Sequence, residues 1–324
     1  MQRSDLVSLF LVTSGLNRLY ARGLSGPGFP ILAYHEVKAK TLVAHLRILS
    51  PYYRFMSLED ALAYQAPTNS RPPLVLTFDD GYASWLTDVV PVLKKKRIPA
   101  LFFPTVQFLG GEQLPWYEVV ERYIRRNRGP SIEVAGEQFG VRTLARDPLL
   151  RRRLHQRLKS LEHSALQASM APLEAGLTAD DRVLLQNRYL KPEQLRQLSG
   201  SLFEVGSHTL THPILTRIPL SQVREEVTRS RQQLEGWVEK RVRYFAYPNG
   251  LGDDFNDLIV GELRRAGYEA ALTALSGNNS PGIDPMKLRR AVVAPEGSSW
   301  RLRATVTGLL GLCEELWSWP HGGS

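Results

Sequence analysis

Two histidines stand four residues apart in Gly206-Ser207-His208-Thr209-Leu210-Thr211-His212-Pro213, in a chain that holds only seven. That spacing puts both imidazoles on one side of a helical turn or a tight loop. Pro213 disfavours helical geometry at His212, so a strand-to-loop turn is the better picture. A second polar cluster, Asp79-Asp80, lies in Leu76-Thr77-Phe78-Asp79-Asp80-Gly81-Tyr82. By itself an Asp-Asp-Gly sequence reads as an ordinary turn. Taken with the histidines, however, Asp80, His208 and His212 supply one oxygen and two nitrogen ligands. Three protein ligands with a fourth position left for water are the pattern of a catalytic zinc-type site. Such a metal acidifies its water and polarises a carbonyl. A carboxylate outside the coordination sphere is then needed as general base, and Asp79 fits. Expelling an amine also needs a proton donor, and His35 is the other histidine that ends a predicted strand.

These residues are scattered over 178 positions (His35 to His212), so the fold must gather them. Short apolar runs recur: Ile31–Tyr34, Leu74–Phe78, Ala100–Phe103, Leu202–Val205, Val242–Tyr247, Tyr268–Thr273 and Arg290–Val293. Helical patterns separate several of them, over Ser84–Lys96, Ser221–Lys240 and Asp254–Ala266. Alternation of this kind implies βα units and a mainly parallel sheet. In a parallel α/β barrel every strand's carboxyl end lies on one rim, where the connecting loops build the active site. His35, Asp79-Asp80, His208 and Pro248-Asn249 all follow predicted strands and would therefore converge. Residues 112–195 break the rhythm. They are helical and rich in Arg and Leu, with no strand pair beyond a weak one near Ser131–Val134, and read as an insertion.

Lys and Arg total 41 against 32 for Asp and Glu, a net charge of +9. The balance favours anionic partners such as nucleic acid, phospholipid or phosphorylated glycan. Two local clusters, Arg122/Arg125/Arg126/Arg128 and Arg151/Arg152/Arg153/Arg157/Lys159, read as solvated helix faces. No nucleic-acid recognition motif accompanies the charge, so no specific nucleic-acid partner is expected. The single cysteine, Cys313, excludes an internal disulfide framework and a Cys-rich zinc site. Residues 1–29 read as an amphipathic segment without a clean cleavage site, packed on the body or lying on a membrane surface. The tail, 296–324, carries a second amphipathic stretch with Trp300, Leu309, Leu310, Leu312, Leu316 and Trp317. No apolar run approaches the roughly 20 residues of a spanning helix. A cytoplasmic location, or peripheral contact with the inner membrane face, is the expectation.

The motifs around Asp79-Asp80 and His208/His212, together with Phe245-Ala246-Tyr247-Pro248-Asn249-Gly250, resemble the successive motifs of the polysaccharide deacetylases. This is carbohydrate esterase family 4, also called the nodulation-protein-B homology domain. The resemblance runs over about residues 30–295, with the insertion outside the usual pattern. It implies a distorted, incomplete (β/α) barrel and hydrolysis of N-acetyl groups from an N-acetylated glycan. Asp79 matches the family's general base, and Asp80, His208 and His212 match its divalent-metal ligands, with zinc the expected ion. Two departures stand out. Ala246 occupies the place of an arginine that orients the base in many members, and no downstream Leu-x-x-His supplies the acid. Both features look like the exopolysaccharide branch, which acts on polymers such as poly-N-acetylglucosamine. There an N-terminal Tyr-His pair, here Tyr34-His35, takes the acid role. Arg290 is a candidate for the absent arginine, a structural salt bridge being the competing reading. With Arg290, the residues Tyr82, Tyr247 and Asn249 are candidates for the substrate side, as is Trp85, which equally suits a core. Two other functions remain open at this level: deacylation of a lipid-linked sugar at the membrane face, and non-catalytic glycan binding on the same barrel.

Overall fold

The computed structural model describes residues 28–65, 70–127, 129–294 and 299–306. Its centre is a parallel sheet in the order β10-β1-β3-β4-β7, formed by β1 (Ile31–Tyr34), β3 (Pro73–Asp80), β4 (Ala100–Pro104), β7 (Phe203–Val205) and β10 (Ala291–Val292). The short β2 (Arg54–Phe55) pairs with the first residues of β3. A second parallel pair, β8 (Tyr244–Ala246) and β9 (Ala270–Leu272), continues the ring. It is joined at one side by the bridge Ser207–Phe245 and at the other by Leu272–Leu288. At those two joints the ladder thins to isolated bridges, which makes the barrel distorted and incomplete.

Parallel strands covered on both faces read as continuous apolar runs, and the buried side chains divide by alternation. Ile31, Val75, Leu101, Phe103, Tyr244, Ala246, Ala270 and Leu272 form one cluster inside the ring. Leu32, Tyr34, Leu74, Leu76, Phe78, Phe102, Phe245 and Tyr247 face the surrounding helices. Those helices are α1 (Ala39–Leu49), α2 (Leu58–Ala63), α3 (Val90–Lys96), and, after the insertion, α9 (Leu220–Val238), α10 (Asp257–Arg265) and α11 (Ser299–Val306). The single helix expected over Ser84–Lys96 is instead a π-helical turn at Trp85–Val89 followed by α3. Pro91, at the start of α3, lacks the N–H that an uninterrupted α-helix would use.

The insertion is its own small core. It comprises α4 (Trp116–Arg125), β5 (Ser131–Val134), β6 (Glu137–Gly140), α5 (Val141–Leu144), α6 (Pro148–Lys159), α7 (His163–Ala175) and α8 (Ala179–Gln186). The weak strand pair expected near Ser131–Val134 is an antiparallel hairpin of β5 and β6. Its two-residue turn, Ala135-Gly136, has both residues at positive φ, 49° and 80°. That is the geometry that matches the twist of a tight hairpin. The basic clusters are also not uniformly solvated: Arg122 and Arg126 both bind the buried Asp181, at 2.6 and 3.2 Å.

Most of the N-terminal segment and of the tail, with Arg128 and Cys313, lies outside the described residues. Residues 299–306 belong to the tail and form α11, where Leu302 and Val306 pack into the main core. Among the described residues no helix is long and apolar enough to cross a membrane.

Candidate active site and metal centre

β3 delivers the first two acidic groups. Val75, Thr77 and Asp79 alternate towards the barrel interior, so Asp79 emerges at the top of the inner face. By the same alternation Asp80 would face the helix layer. Its backbone instead adopts φ 84°, which breaks the strand and turns its carboxylate towards the mouth. Gly81 follows at φ 102°, a conformation suited to glycine.

β7 delivers the histidines. Gly206 is required by close approach, since a Cβ there would lie 2.9 Å from the carbonyl oxygen of Tyr244. Thr209 and His212 also have positive φ, 69° and 66°. For non-glycine residues this left-handed geometry costs about 1–2 kcal/mol each. Glu226 of α9 holds the loop in that shape. Its carboxylate accepts bonds from the Leu210 and Thr211 amides, both at 2.9 Å, and from the Thr211 hydroxyl at 2.6 Å.

The three expected ligands meet. His208 Nε2 and His212 Nε2 each lie 3.6 Å from Asp80 Oδ1, and the three ligand atoms fall within 4.8 Å of one another. Tetrahedral ligands bonded at about 2.0–2.2 Å sit about 3.3–3.6 Å apart, so the spacing suits one small divalent ion. Asp80 Oδ1 is buried without a hydrogen-bond partner, which a native fold rarely tolerates. The histidines are prepared as ligands. Burial pushes His208 down to about 4 and His212 down to about 3, so both rings are neutral at pH 7. His208 Nδ1 lies 2.7 Å from the Ala246 carbonyl oxygen. A carbonyl only accepts, so Nδ1 carries the proton and the Nε2 lone pair faces Asp80.

Arg290 borders the cavity, but its guanidinium is bound within the protein. It is 1% exposed and donates to Asp79 Oδ1 at 2.8 Å, to the Thr77 hydroxyl at 3.1 Å and to the Thr273 carbonyl at 2.9 Å. Burial pushes the Asp79 carboxyl up, but the Arg290 charge beside it, with His208, outweighs that and holds it below the usual carboxylate range. Asp79 is therefore ionised at neutral pH, in the form a general base requires. Thus Arg290, the residue before β10, occupies the place facing Asp79 that Ala246 leaves vacant.

His35 borders the same cavity, of about 850 Å³, as Asp79, Asp80, His208 and His212. Its loop is fixed from below, because Trp85 Nε1 donates to the His35 carbonyl at 3.1 Å. Trp85 itself is fully buried and belongs to the core. Tyr34 is buried and places its hydroxyl 3.2 Å from His45 Nδ1. Tyr82 borders the cavity and stacks on Tyr189 with ring centroids 5.0 Å apart. Tyr247 follows the outward alternation of β8. Its ring stacks on Phe255 and its hydroxyl donates to the Met286 carbonyl at 2.9 Å, so its polar end is already occupied. Asn249 forms a turn at φ 59° and has both ends of its amide engaged, by Asp254 and by Lys159, each at 2.6 Å.

The insertion walls the site. Trp116, Tyr117, Glu121, His155, Lys159 and His163 all line the cavity. Tyr117 donates to Asp80 Oδ2 at 2.9 Å, which fixes the second oxygen of that carboxylate. Lys159 crosses to Asn249 on the opposite bank. Nothing in the local sequence distinguishes Tyr117 or Lys159 from other residues of amphipathic helices, and Glu226 likewise reads as an ordinary helix charge.

A parallel barrel that gathers ionisable groups in a cavity at its carboxyl rim is built as an α/β-barrel enzyme. The family model described as polysaccharide deacetylase matches residues 66–271, and the chain belongs to that family. The matched span holds Asp79, Asp80, His208 and His212, while His35, just after β1, and Arg290, just before β10, lie outside it. Solved structures are similar in fold. The Streptococcus pyogenes deacetylase PplD in complex with acetate is 16% identical, with 86% of this chain and 98% of that chain covered and a TM-score of 0.54. IcaB from Ammonifex degensii is 21% identical, with 88% and 98% covered and a TM-score of 0.52. The BpsB deacetylase domain from Bordetella bronchiseptica is 18% identical, with 83% and 96% covered and a TM-score of 0.52. No curated protein matches the chain.

Proposed function

We propose that this protein is a metal-dependent hydrolase that removes N-acetyl groups from an N-acetylated glycan, an exopolysaccharide of the poly-N-acetylglucosamine type being the first candidate. The observation that carries the reading is the orphaned Asp80 Oδ1, buried and facing two imidazole Nε2 atoms at 3.6 Å. Family membership supports deacetylation of a polysaccharide. The fold shared with IcaB and the BpsB deacetylase domain, and the Tyr34-His35 pair, support the exopolysaccharide branch.

Asp80, His208 and His212 would hold the ion, with zinc proposed first, although the same donors accept cobalt, nickel or iron. A divalent cation there supplies the positive charge that acidifies water and polarises the acyl carbonyl. Asp79, kept ionised by Arg290, accepts the proton of the attacking water. His35 delivers a proton to the departing nitrogen, so that a neutral amine leaves and acetate remains. Tyr117 and the Ala246 carbonyl hold the ligands in orientation. The reaction is tested by measuring acetate release from N-acetylglucosamine oligomers by the wild type, Asp79→Asn and His35→Ala. No release by the zinc-loaded wild type, with acetyl groups retained across neutral and anionic oligomers, would reject the reading. A cytoplasmic or peripheral inner-membrane location is proposed alongside, and fractionation of cells expressing the full chain tests it.

A further inference from the structure

The charges that line the cavity do not cancel. Asp79 is paired with Arg290 at 2.8 Å, and Asp80 faces the two histidines. Glu118 is held by Arg188 at 3.2 Å, and Glu121 by Arg151 and His155, each at 3.3 Å. Three cations on the lining, Arg125, Lys159 and Arg217, form no ion pair among the described residues, and Arg125 is an exposed residue at the end of α4, whereas the other two adjoin the loop after β8. Arg217 follows the second histidine by five residues, in the short turn Leu215–Arg217. It is half-buried, and its Nε is shielded from solvent without a hydrogen-bond partner, an arrangement that is costly unless a ligand completes it. The Lys159 ammonium carries three donors and uses one, on the neutral Asn249 amide at 2.6 Å. Asp254 acts on it only through space, with its Oδ2 already accepting from Asn249 and the Leu251 amide. The segments that carry the two cations touch the same loop. Lys159 is bonded to Asn249, and Thr216, next to Arg217, donates to the Asp253 carbonyl at 2.8 Å. Lys159 is also close enough to His212 for its charge to act there. The two donors thus flank the loop at 249–254, beside the reacting centre.

We propose that the site takes glycans that carry an anionic oxygen group, a phosphate or a carboxylate, next to the acylated sugar, bound between Lys159 of the insertion and Arg217. The inference rests on the deacetylase reading and narrows its substrate class. A neutral sugar offers hydroxyls, which an exposed lysine and a half-buried arginine without carboxylate partners are not needed to bind. An oxyanion satisfies both at once through charge-assisted bonds. It also explains why the insertion, remote in sequence, reaches across the mouth.

The test uses the zinc-loaded full chain and three matched N-acetylglucosamine oligomers: neutral, phosphorylated on the neighbouring sugar, and with a neighbouring uronate. Affinity is measured by calorimetry and turnover by acetate release. At least one anionic oligomer should bind about tenfold or more tightly than the neutral one, as expected for a hydrogen bond to a charged group. Which of the two does so identifies the source. That preference should fall about tenfold in Lys159→Met and in Arg217→Met, shrink in high salt, and largely survive in Arg217→Lys. Equal affinity for all three oligomers, or a preference untouched by both methionine variants, overturns the proposal. Anionic preference without acetate release would reject the deacetylase reading while leaving the anion site standing.

Discussion

Replacing Arg290 by methionine removes the charge that faces Asp79 while keeping much of the side chain's volume. The guanidinium and the carboxylate are both almost fully buried and 2.8 Å apart, so the lost partner is not replaced by solvent. Breaking a buried pair by deleting one member costs about 3–5 kcal/mol. The change in Tm per kcal/mol shrinks with chain length and is about 2 °C for a chain of this size, so Tm should fall by about 6–10 °C. The Thr273 carbonyl also loses its donor, which places the effect towards the upper end. Chemically, an adjacent arginine favours the ionised carboxylate and lowers an aspartate's pKa. Without Arg290 the burial of Asp79 acts unopposed by that charge, and its pKa should rise. The base would then lose its proton only at higher pH. The acid limb of the pH dependence of kcat/KM should move to higher pH, with activity recovering on the alkaline side. Arg290→Lys, which keeps the charge with poorer geometry, should shift it less. The assay is acetate release between about pH 5 and 9 on protein of verified zinc content. An Arg290→Met enzyme with an unmoved acid limb and normal zinc would show that Arg290 braces the barrel without setting the state of the base.

Tyr117→Phe should weaken zinc binding about 10–100-fold by freeing Asp80 Oδ2, read by competition with a chelating dye; unchanged affinity would detach the insertion from the metal centre. His35→Ala should lower kcat by about 10²–10⁴ with zinc content and Tm retained, whereas near-normal turnover with a lowered Tm would leave His35 a purely structural role. Asp79→Asn should keep zinc and lose turnover, and Asp80→Asn should lose zinc; equilibrium dialysis with the opposite pattern would exchange their roles. The metal-free protein should lose stability as pH falls from about 6.5, the ordinary imidazole value, towards 4. Burial lowers His208 to about 4 and His212 to about 3. The unfolded chain therefore takes up protons in that window that the fold excludes, and the stability fully present above it is lost. Thermal melts of a His208→Gln/His212→Gln protein should lack this component, and an identical pH profile would contradict the burial argument.

What the sequence discloses is what local spacing encodes. His208 and His212 sit in one loop and Asp79-Asp80 at one strand end, so their meeting required only that parallel strands share a rim. Alternation along β8 puts Tyr247 with Phe245 on the helix side, although Tyr247 still borders the cavity. The insertion was illegible for a different reason. Tyr117 and Lys159 lie on helices whose patterning reports which face is apolar but not what the polar face meets. Their partners, Asp80 and Asn249, are 37 and 90 residues away. Strand β6 was hidden because Glu137-Gln138-Phe139-Gly140 offers a single large apolar side chain. Arg290 could be suspected only because Ala246 left a role unfilled, and distance alone decided in favour of the pairing.

The central claim is that Asp80, His208 and His212 hold the ion on which deacetylation depends. It is tested most directly by titrating zinc into chelator-stripped protein while recording bound metal and acetate release in the same samples. Both should rise together and level off at one ion per chain, and His208→Ala/His212→Ala should show neither. Full acetate release by the stripped protein, or one tightly held zinc per chain in the double variant, would contradict the account.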